Sequence, residues 1–464
     1  MDLLALQRER MMNKRLVFVF LTCITLLGAW LRLYQLNYES LSLDELMVMN
    51  LTDPELDILT IINISRMHGG QTLNMLLYSL FSLFSYTSDV GRYTCAIVGI
   101  VSIPAFYLLM REFSSQKVSL IGALLVAINY WHITYSQEVN YHSLVFLFSI
   151  LSYLFFVRSI KDSGTSSFYG YAFSTVALIN IHSYGFLLFI CQLITFAIIF
   201  FVYKPKATVL QGFVLSAIAI LLFTPWNDFL LNELWVGYSW AERPKFYFGL
   251  AYFNNYFGKD IISTVFAGLF ILLFLKWAIE SRKVATHGQM NLIVLAWIFL
   301  SLLLPFIKSM IGNSILNIQY TFITIPALII AICIGLENFE RTTIKITMMG
   351  VLVLSSLITL FIIKDYYRVV NKPQLREASE FVVTKNTQNN YPIFTDNAWQ
   401  INFYFKNTFS RVIEDDSLIH VPNAKKVWLF SSSDQIENSV ADNFVLVEKH
   451  HFHQVNVLLL ERNQ

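Results

Sequence analysis

Charged residues and cysteines are both scarce in this 464-residue chain. Only 14% of the residues are charged, and the formal net charge at pH 7 is +2. A typical soluble domain has about 25% charged residues, and so small a net charge gives no support to nucleic-acid binding. The 4 cysteines lie far apart inside apolar stretches, with no CxxC pair and no Cys/His group at metal-ligand spacing. We therefore expect neither a disulfide nor a cysteine-bound metal.

Hydrophobic residues make up 56% of the chain and aromatic residues 16%. This content exceeds what a soluble fold of this size needs for its core, and it indicates an all-α polytopic membrane protein. A span requires roughly 20 apolar residues to cross a hydrocarbon layer of about 30 Å. Eleven runs meet or approach that requirement: 16–33, 90–110, 118–133, 142–158, 168–184, 186–203, 208–226, 261–281, 290–307, 320–338 and 345–363.

The placement of Lys and Arg predicts the orientation of these spans in a plasma or inner membrane. With a cytoplasmic N-terminus, the loops on that side hold most of the basic residues, as the positive-inside rule requires. No small-residue cleavage site follows the first run, so we expect a retained signal anchor. Residues 71–86 are a short apolar segment whose insertion would invert every later loop. We expect this segment to form a re-entrant or interfacial helix.

The composition becomes that of a soluble domain after residue 363. Short β-type runs at 392–394, 427–430, 444–447 and 455–460 follow an amphipathic helical pattern at 376–384. These patterns predict a small α/β domain. We therefore divide the chain into a transmembrane domain at 1–363, with its first extracytoplasmic loop at 34–89, and an extracytoplasmic domain at 364–464.

Three carboxylates in the predicted outer loops are candidates for catalysis. Asp44 and Glu45 are adjacent in the first loop, and Glu138 is the sole charge of a polar and aromatic cluster in the second. Desolvating such groups near a membrane is costly, which suggests a general base with partner carboxylates. The structural alternative is a helix capped by Ser42, with Asp44 and Glu45 in its first turn, and a Glu138 that snorkels from an aromatic belt.

Four residues near the outer membrane face are candidates for ligand binding. His68 follows a polar segment of the first loop, and His182 and Tyr184 lie near the outer end of a span. Imidazole and phenol groups can hydrogen-bond a ligand there, and Arg243 in a later outer loop can pair with phosphate. Each of these residues also has an ordinary structural explanation. The candidate metal ligands Asp44, His68, Glu138 and His182 are too dispersed in sequence to decide whether a divalent metal binds.

In order and spacing, these segments resemble glycosyltransferase family 39 of the GT-C membrane transferases, a group that includes protein O-mannosyltransferases and lipid A aminoarabinose transferases. The resemblance rests on residues 43–45, 68–78, 135–138, 182–185, 225–226 and 372–378. It implies a GT-C fold of about 11 transmembrane helices with an extracytoplasmic active site. It also implies a donor sugar linked to a polyprenyl phosphate, and an acceptor that is a lipid, a glycan or a protein.

The resemblance further implies an inverting single displacement. Asp44 would act as the base, while Glu45 and Glu138 would orient the acceptor or, as in some relatives, hold a divalent metal. Tyr135 and Gln137 would contact the substrate because they belong to the same motif as Glu138.

The sequence departs from the family pattern at three places. Where relatives often have His-Pro-Pro, this chain has His68 followed by two glycines, and Asn140 and Gln319 stand where relatives often have arginine. The missing arginines would neutralise the phosphate of the lipid. Arg243, Lys308, His68 or His182 would replace them, or backbone amides and a metal would do so, or the chain would have a different donor or little activity.

Two functions from other classes remain open at this point. An acidic pair could couple ions in a lipid or sugar transporter, although these carboxylates lie in loops and the spans show no inverted halves. A non-catalytic scaffold for envelope assembly would tolerate the replacement of Asp44.

Overall fold

The computed structural model describes residues 13–67, 71–162, 164–226, 230, 242–339, 341–386, 391–395, 398–405, 412–414, 424–431 and 444–463. The N-terminal part is helical. Its helices are α1 (Lys14–Leu33), α2 (Leu43–Leu51), α3 (Ile58–Met67), α4 (Thr72–Ser82), α5 (Ser88–Arg111), α6 (Gln116–Ile128), α7 (Tyr130–Ser136), α8 (His142–Asp162), α9 (Thr165–Ile181), α10 (Tyr184–Tyr203), α11 (Ala207–Leu222), α12 (Phe248–Tyr256), α13 (Ile261–Ser281), α14 (Ala285–Ile311), α15 (Ile325–Glu337) and α16 (Thr342–Ile358). A 3-10 helix (Tyr320–Thr324) leads into α15, and a π-helical turn (Thr359–Ile363) ends α16.

Within the described residues, 8 helices are long and apolar enough to cross a membrane. The bent pair α6 and α7 makes a ninth if it counts as one span. The remaining two of the eleven predicted runs form α9 and α11, which have 17 and 16 residues and are therefore shorter than a full span. The polytopic helical fold is confirmed, whereas the count of eleven spans and the orientation of the termini stay predictions. Helix α4 has 11 residues and is too short to cross.

The bend between α6 and α7 measures 57° and is fixed by polar contacts. The Asn129 side chain accepts a hydrogen bond from the backbone N–H of His132 at 2.9 Å and donates one to the carbonyl of Tyr256. The buried guanidinium of Arg32, at the end of α1, donates to the carbonyls of Val126 and Ala127. Because these carbonyls belong to the last turn of α6, a cation stabilises the negative end of that helix dipole.

Gly335 allows α15 to approach α13 closely. A Cβ atom at this position would overlap the carbonyl oxygen of Phe270 and lie 2.8 Å from its carbonyl carbon. Small residues permit such contacts between membrane helices. We expect Gly335→Ala to lower the free energy of unfolding by about 1–3 kcal/mol, since the two backbones must separate.

Thermal unfolding in detergent measures this effect. Gly350→Ala is the matched control, because a Cβ atom there would meet nothing within 4 Å. If Gly335→Ala and Gly350→Ala have equal melting temperatures, the close contact of α13 and α15 at Gly335 does not contribute to stability.

The C-terminal part contains a five-stranded sheet. Its elements are α17 (Leu375–Asn386), β1 (Ile393–Thr395), α18 (Ala398–Phe405), β2 (Val412–Glu414), β3 (Lys426–Ser431), β4 (Phe444–Phe452) and β5 (Val455–Arg462). The strand order is β2-β1-β3-β5-β4, in which β1 pairs in parallel with β2 and β3, and β5 pairs antiparallel with β3 and β4. The predicted helix and all four predicted β-type runs coincide with these elements.

The C-terminal part packs directly on residues 34–89, the predicted first outer loop. Leu46 and Met49 of α2 share one buried cluster with Leu375 of α17, Ile401 of α18 and Trp428 of β3. The hydroxyl of Tyr404 accepts a hydrogen bond from the backbone N–H of Leu41 at 3.0 Å. The loop that carries Asp44 is therefore held between the helical bundle and the sheet.

Candidate active site

A capping box at the start of α2 positions Asp44 and Glu45. The Ser42 side chain accepts from the Glu45 backbone N–H, and the Glu45 carboxylate accepts from the Ser42 backbone N–H at 2.8 Å. Adjacent residues of an α-helix project roughly 100° apart. Glu45 therefore points into the protein, where it is 1% exposed, while Asp44 remains accessible.

Both oxygens of the Glu45 carboxylate accept hydrogen bonds. The guanidinium of Arg92 binds it through two nitrogens, at 3.0 and 3.1 Å. The ammonium of Lys372 lies 2.8 Å from Oε2, and the backbone N–H of Val139 donates to Oε1 at 3.0 Å. Glu45 thus joins α2, the N-terminal end of α5, the predicted second outer loop and the C-terminal part. This arrangement gives Glu45 an anchoring position, and its role in orienting the acceptor stays a prediction.

Glu138 lies on the other side of Lys372. Its Oε1 is 3.6 Å from the Lys372 ammonium, and its side chain is 21% exposed. The structure thus brings Glu45 and Glu138 to the same cation, although 93 residues separate them along the chain and Lys372 follows much later.

The environment moves the pKa values of these groups in different directions. For Asp44, partial burial and the nearby Glu45 charge raise the pKa, and Lys372 opposes them. For Glu138, burial raises the pKa, with Glu45 and Asp44 adding to it against Lys372 and Arg92. Burial alone would also raise the pKa of Glu45, but Lys372 and Arg92 outweigh burial and hold that pKa well below its usual range. Asp44 is therefore a stronger base than Glu45.

Asp44 opens onto a cavity of about 390 Å³. Such a volume falls within the range of small-molecule sites. Four apolar side chains line one part of it, and the rest is polar. The polar lining residues are Asp44, Gln71, Asn140, Tyr141, Asn317, Gln319 and Tyr320. Of the described lining residues, Asp44 alone carries a charge, and the others offer amides and phenols that suit sugar hydroxyls.

Asn140 and Gln319, which occupy the positions where relatives often have arginine, both line this cavity. They come from different segments, the second outer loop and the connection between α14 and α15. Their meeting with Asp44 in one cavity means that the departures from the family pattern concern the candidate site itself. Amides at both positions leave this wall uncharged.

The aromatic candidates lie behind the cavity wall. The ring centroid of His182 lies 4.4 Å from that of Tyr141 and 4.9 Å from that of Tyr320. Both tyrosines line the cavity. Tyr135 stacks on His142 at 4.0 Å.

Gln137 and Tyr184 use their polar groups within the protein. The Gln137 amide donates to the carbonyls of Arg32 and Tyr34, each at 3.0 Å, and the Tyr184 hydroxyl donates to the carbonyl of Ile315 at 2.6 Å. Both residues are buried and neither lines the cavity. Their observed contacts are those of supporting residues, and their contact with a substrate stays a prediction.

The three basic candidates have different positions. Arg243 is exposed ahead of α12, and His68 lies outside the described residues. The ammonium of Lys308, near the end of α14, is buried and has no hydrogen-bond partner among the residues that the structure describes. It lies next to Gly312, at the start of the connection that supplies Asn317, Gln319 and Tyr320. A buried cation without a partner is unfavourable unless an anion joins it.

Sequence reasoning missed Arg92 and Lys372 as parts of this site. Arg92 lay inside a predicted span, and a charge in such a place is a signal of a buried partner. Lys372 opens the segment 372–378 of the family resemblance, but no sequence pattern placed it beside Glu45, which lies 327 residues away in the chain.

The chain resembles one known protein family and several solved structures. Residues 73–227 match the family model of dolichyl-phosphate-mannose-protein mannosyltransferase. The crystal structure of ArnT from Cupriavidus metallidurans bound to undecaprenyl phosphate superposes with a TM-score of 0.62 at 11% identity, covering 96% of this chain and 98% of that one. The chain has the GT-C fold. The family resemblance inferred from the sequence is confirmed.

Two structures from Archaeoglobus fulgidus share this GT-C architecture. The oligosaccharyltransferase in complex with Zn and sulfate gives a TM-score of 0.51 at 12% identity over 88% of this chain and 67% of that one. The oligosaccharyltransferase AglB in complex with an inhibitory peptide and a dolichol-phosphate gives 0.50 at 14% identity over 90% and 69%. No curated protein matches the chain by sequence.

The zinc complex raises the question of a metal in this GT-C chain. No group of three or more His, Cys, Asp or Glu residues with metal-binding geometry occurs within the described residues. Both oxygens of Glu45 accept hydrogen bonds, and Lys372 lies against Glu45 and Glu138. Because a divalent cation needs free oxygen ligands, these two glutamates do not fit a metal while the lysine is in place.

Proposed function

We propose that this chain is a membrane glycosyltransferase that moves a sugar from a polyprenyl-phosphate donor to an acceptor on the extracytoplasmic face. The observation that carries the proposal is the cavity in which Asp44 is the one charged lining residue of those described. The fold shared with ArnT, whose structure holds undecaprenyl phosphate, supports a lipid-linked donor.

The proposed reaction is an inverting single displacement. Asp44 accepts the proton of an acceptor hydroxyl while that oxygen forms a bond to the anomeric carbon of the sugar. The bond from the anomeric carbon to the phosphate oxygen breaks at the same time, and the electron pair leaves with the polyprenyl phosphate. The raised pKa of Asp44 suits it to receive this proton near neutral pH.

The cavity lining supports the binding of an uncharged polyhydroxylated ring. Asn140, Asn317 and Gln319 provide amides that can both donate to and accept from hydroxyl groups. The rings of Tyr141 and Tyr320 offer apolar faces beside them.

Lys308 is the cation best placed to neutralise the leaving phosphate. Its buried ammonium has no hydrogen-bond partner in the described part of the chain, so it can accept an anion without breaking an existing ion pair. Arg243 is exposed, and the ring of His182 packs against Tyr141 and Tyr320.

The test uses purified wild-type protein in lipid nanodiscs with a panel of polyprenyl-phosphate sugars and simple hydroxyl acceptors. We expect one donor to release lipid phosphate and to give a glycoside of inverted anomeric configuration, which NMR of the product determines. Empty nanodiscs are the control. A product of retained configuration would contradict the single displacement, and failure of every donor with folded protein would contradict the glycosyltransferase assignment.

A further inference from the structure

Lys372 reaches the carboxylate cluster from the segment that connects the last membrane helix to the sheet. The first outer loop holds its backbone, since Glu39 Oε1 accepts hydrogen bonds from the N–H groups of Asn371, at 2.5 Å, and Lys372, at 3.3 Å. From there the side chain extends to Glu45 and Glu138, and it is only 15% exposed. The Lys372 side chain is therefore held at its backbone by Glu39 and at its ammonium by Glu45 and Glu138.

We propose that Lys372 is the built-in cation of the site, a positioning residue whose ammonium takes the place that a divalent metal would need between Glu45 and Glu138. This inference rests on the proposed function, in which Asp44 is the base. It gives the C-terminal part of the chain a role in arranging the catalytic loop.

The charges around Lys372 support this role. Glu45 pairs with Arg92 and Lys372, and Glu138 lies 3.6 Å from Lys372. Asp44 points to the cavity, but Lys372 is near enough to lower its pKa. Arg92 already binds Glu45 and the carbonyls of Leu36, Glu39 and Ser40. The cluster thus contains three carboxylates and two cations. The negative charge that remains uncompensated lies at Asp44, where it can accept a proton.

The position of the ammonium also distinguishes this site from a metal site. A divalent ion between Glu45 and Glu138 would lie against a fixed positive charge, and it would have to displace the hydrogen bonds that Arg92 and Val139 give to Glu45. Burial by itself lowers the pKa of Lys372, but Glu45 and Glu138 outweigh it, so the lysine stays charged.

The pH dependence of sugar transfer tests this proposal. Lys372 lowers the pKa of Asp44, and only ionised Asp44 can accept the proton. Lys372→Met should therefore move the acid limb of the rate profile upward, by about one pH unit. Lys372→Arg keeps the charge and should restore the wild-type limb. Lys385→Met, which removes a half-exposed ion-pair partner of Glu448 at 3.7 Å, is the control and should change nothing.

Two further measurements decide the outcome. We expect EDTA to leave wild-type transfer unchanged, whereas transfer that is lost in EDTA and restored by Mg²⁺ or Mn²⁺ would overturn the proposal. An unshifted acid limb in Lys372→Met would overturn it as well.

The pH dependence of thermal unfolding requires no turnover and separates this inference from the proposed function. Lys372 helps to lower the pKa of Glu45 in the folded protein, so the stability that Glu45 provides is lost only at low pH. In Lys372→Met the folded-state pKa of Glu45 is lowered less, so this loss should be smaller and its lower end should shift to higher pH. If no donor reacts but this shift appears, the proposed function fails and the built-in cation stands, and if the shift is absent the cation role fails.

Discussion

Asp44→Asn is expected to abolish sugar transfer while leaving the protein folded. A carboxamide cannot accept the proton of the acceptor hydroxyl, and loss of a general base typically reduces the rate by about 10²–10⁴-fold. Release of lipid phosphate from the reactive donor measures the loss. The melting temperature should stay the same or rise slightly, because Asp44 is accessible and its charge lies close to that of Glu45.

Asp57→Asn is the matched control for this variant. Asp57 is an exposed carboxylate of the same outer loop, where it accepts a hydrogen bond from the backbone N–H of Thr60 at 3.0 Å. Asparagine caps a helix about as well as aspartate, so the control should keep both its stability and its activity. A folded Asp44→Asn protein with normal transfer would remove Asp44 as the base and favour the scaffold hypothesis.

Glu45→Gln is expected to destabilise the protein strongly. The substitution removes the charge that Arg92 and Lys372 share, which leaves two poorly exposed cations without their main partner. Breaking a buried ion pair in this way costs about 3–5 kcal/mol. Thermal or denaturant unfolding in detergent should show the loss, and Arg92→Met should cause a comparable one.

Glu280→Gln is the control, because Glu280 pairs with Lys276 at 3.9 Å on an exposed helix surface. It should change the free energy of unfolding by less than about 0.5 kcal/mol. The sign of the pH effect gives a second check. The lowered pKa of Glu45 provides stability that is complete above about pH 4.3, its unfolded value, and is lost as the pH falls further. A Glu45→Gln protein as stable as the wild type would contradict the anchoring position.

The local pattern of the sequence predicted most elements of the fold. The first apolar run at 16–33 corresponds to α1, and the runs at 427–430 and 455–460 fall within β3 and β5. Such elements depend on residues that are neighbours in the chain, so their periodicity and caps are visible in the sequence. The count of eleven spans stays a prediction, because α9 and α11 are shorter than a full span and α6 bends into α7.

The site was predictable only in part for a similar reason. The sequence singled out Asp44, Glu45 and Glu138 as acidic residues of outer loops, but it could not separate their environments. Two neighbours in one helix turn acquire opposite pKa shifts because α2 turns one towards Arg92 and the other towards the cavity. Binding candidates such as Gln137 and Tyr184 have the correct chemistry, yet their polar groups bond to the protein backbone.

The sequence by itself determined that this is a helical membrane protein with a small α/β part, and it identified the family resemblance and the acidic loop. Composition and periodicity are sufficient for these conclusions, because the membrane admits few backbone arrangements. The tertiary structure alone decided that Lys372 lies between Glu45 and Glu138, and that Asp44, Asn140 and Gln319 share one cavity. Those contacts join residues far apart in the chain, and only the packing of the loops, helices and sheet brings them together.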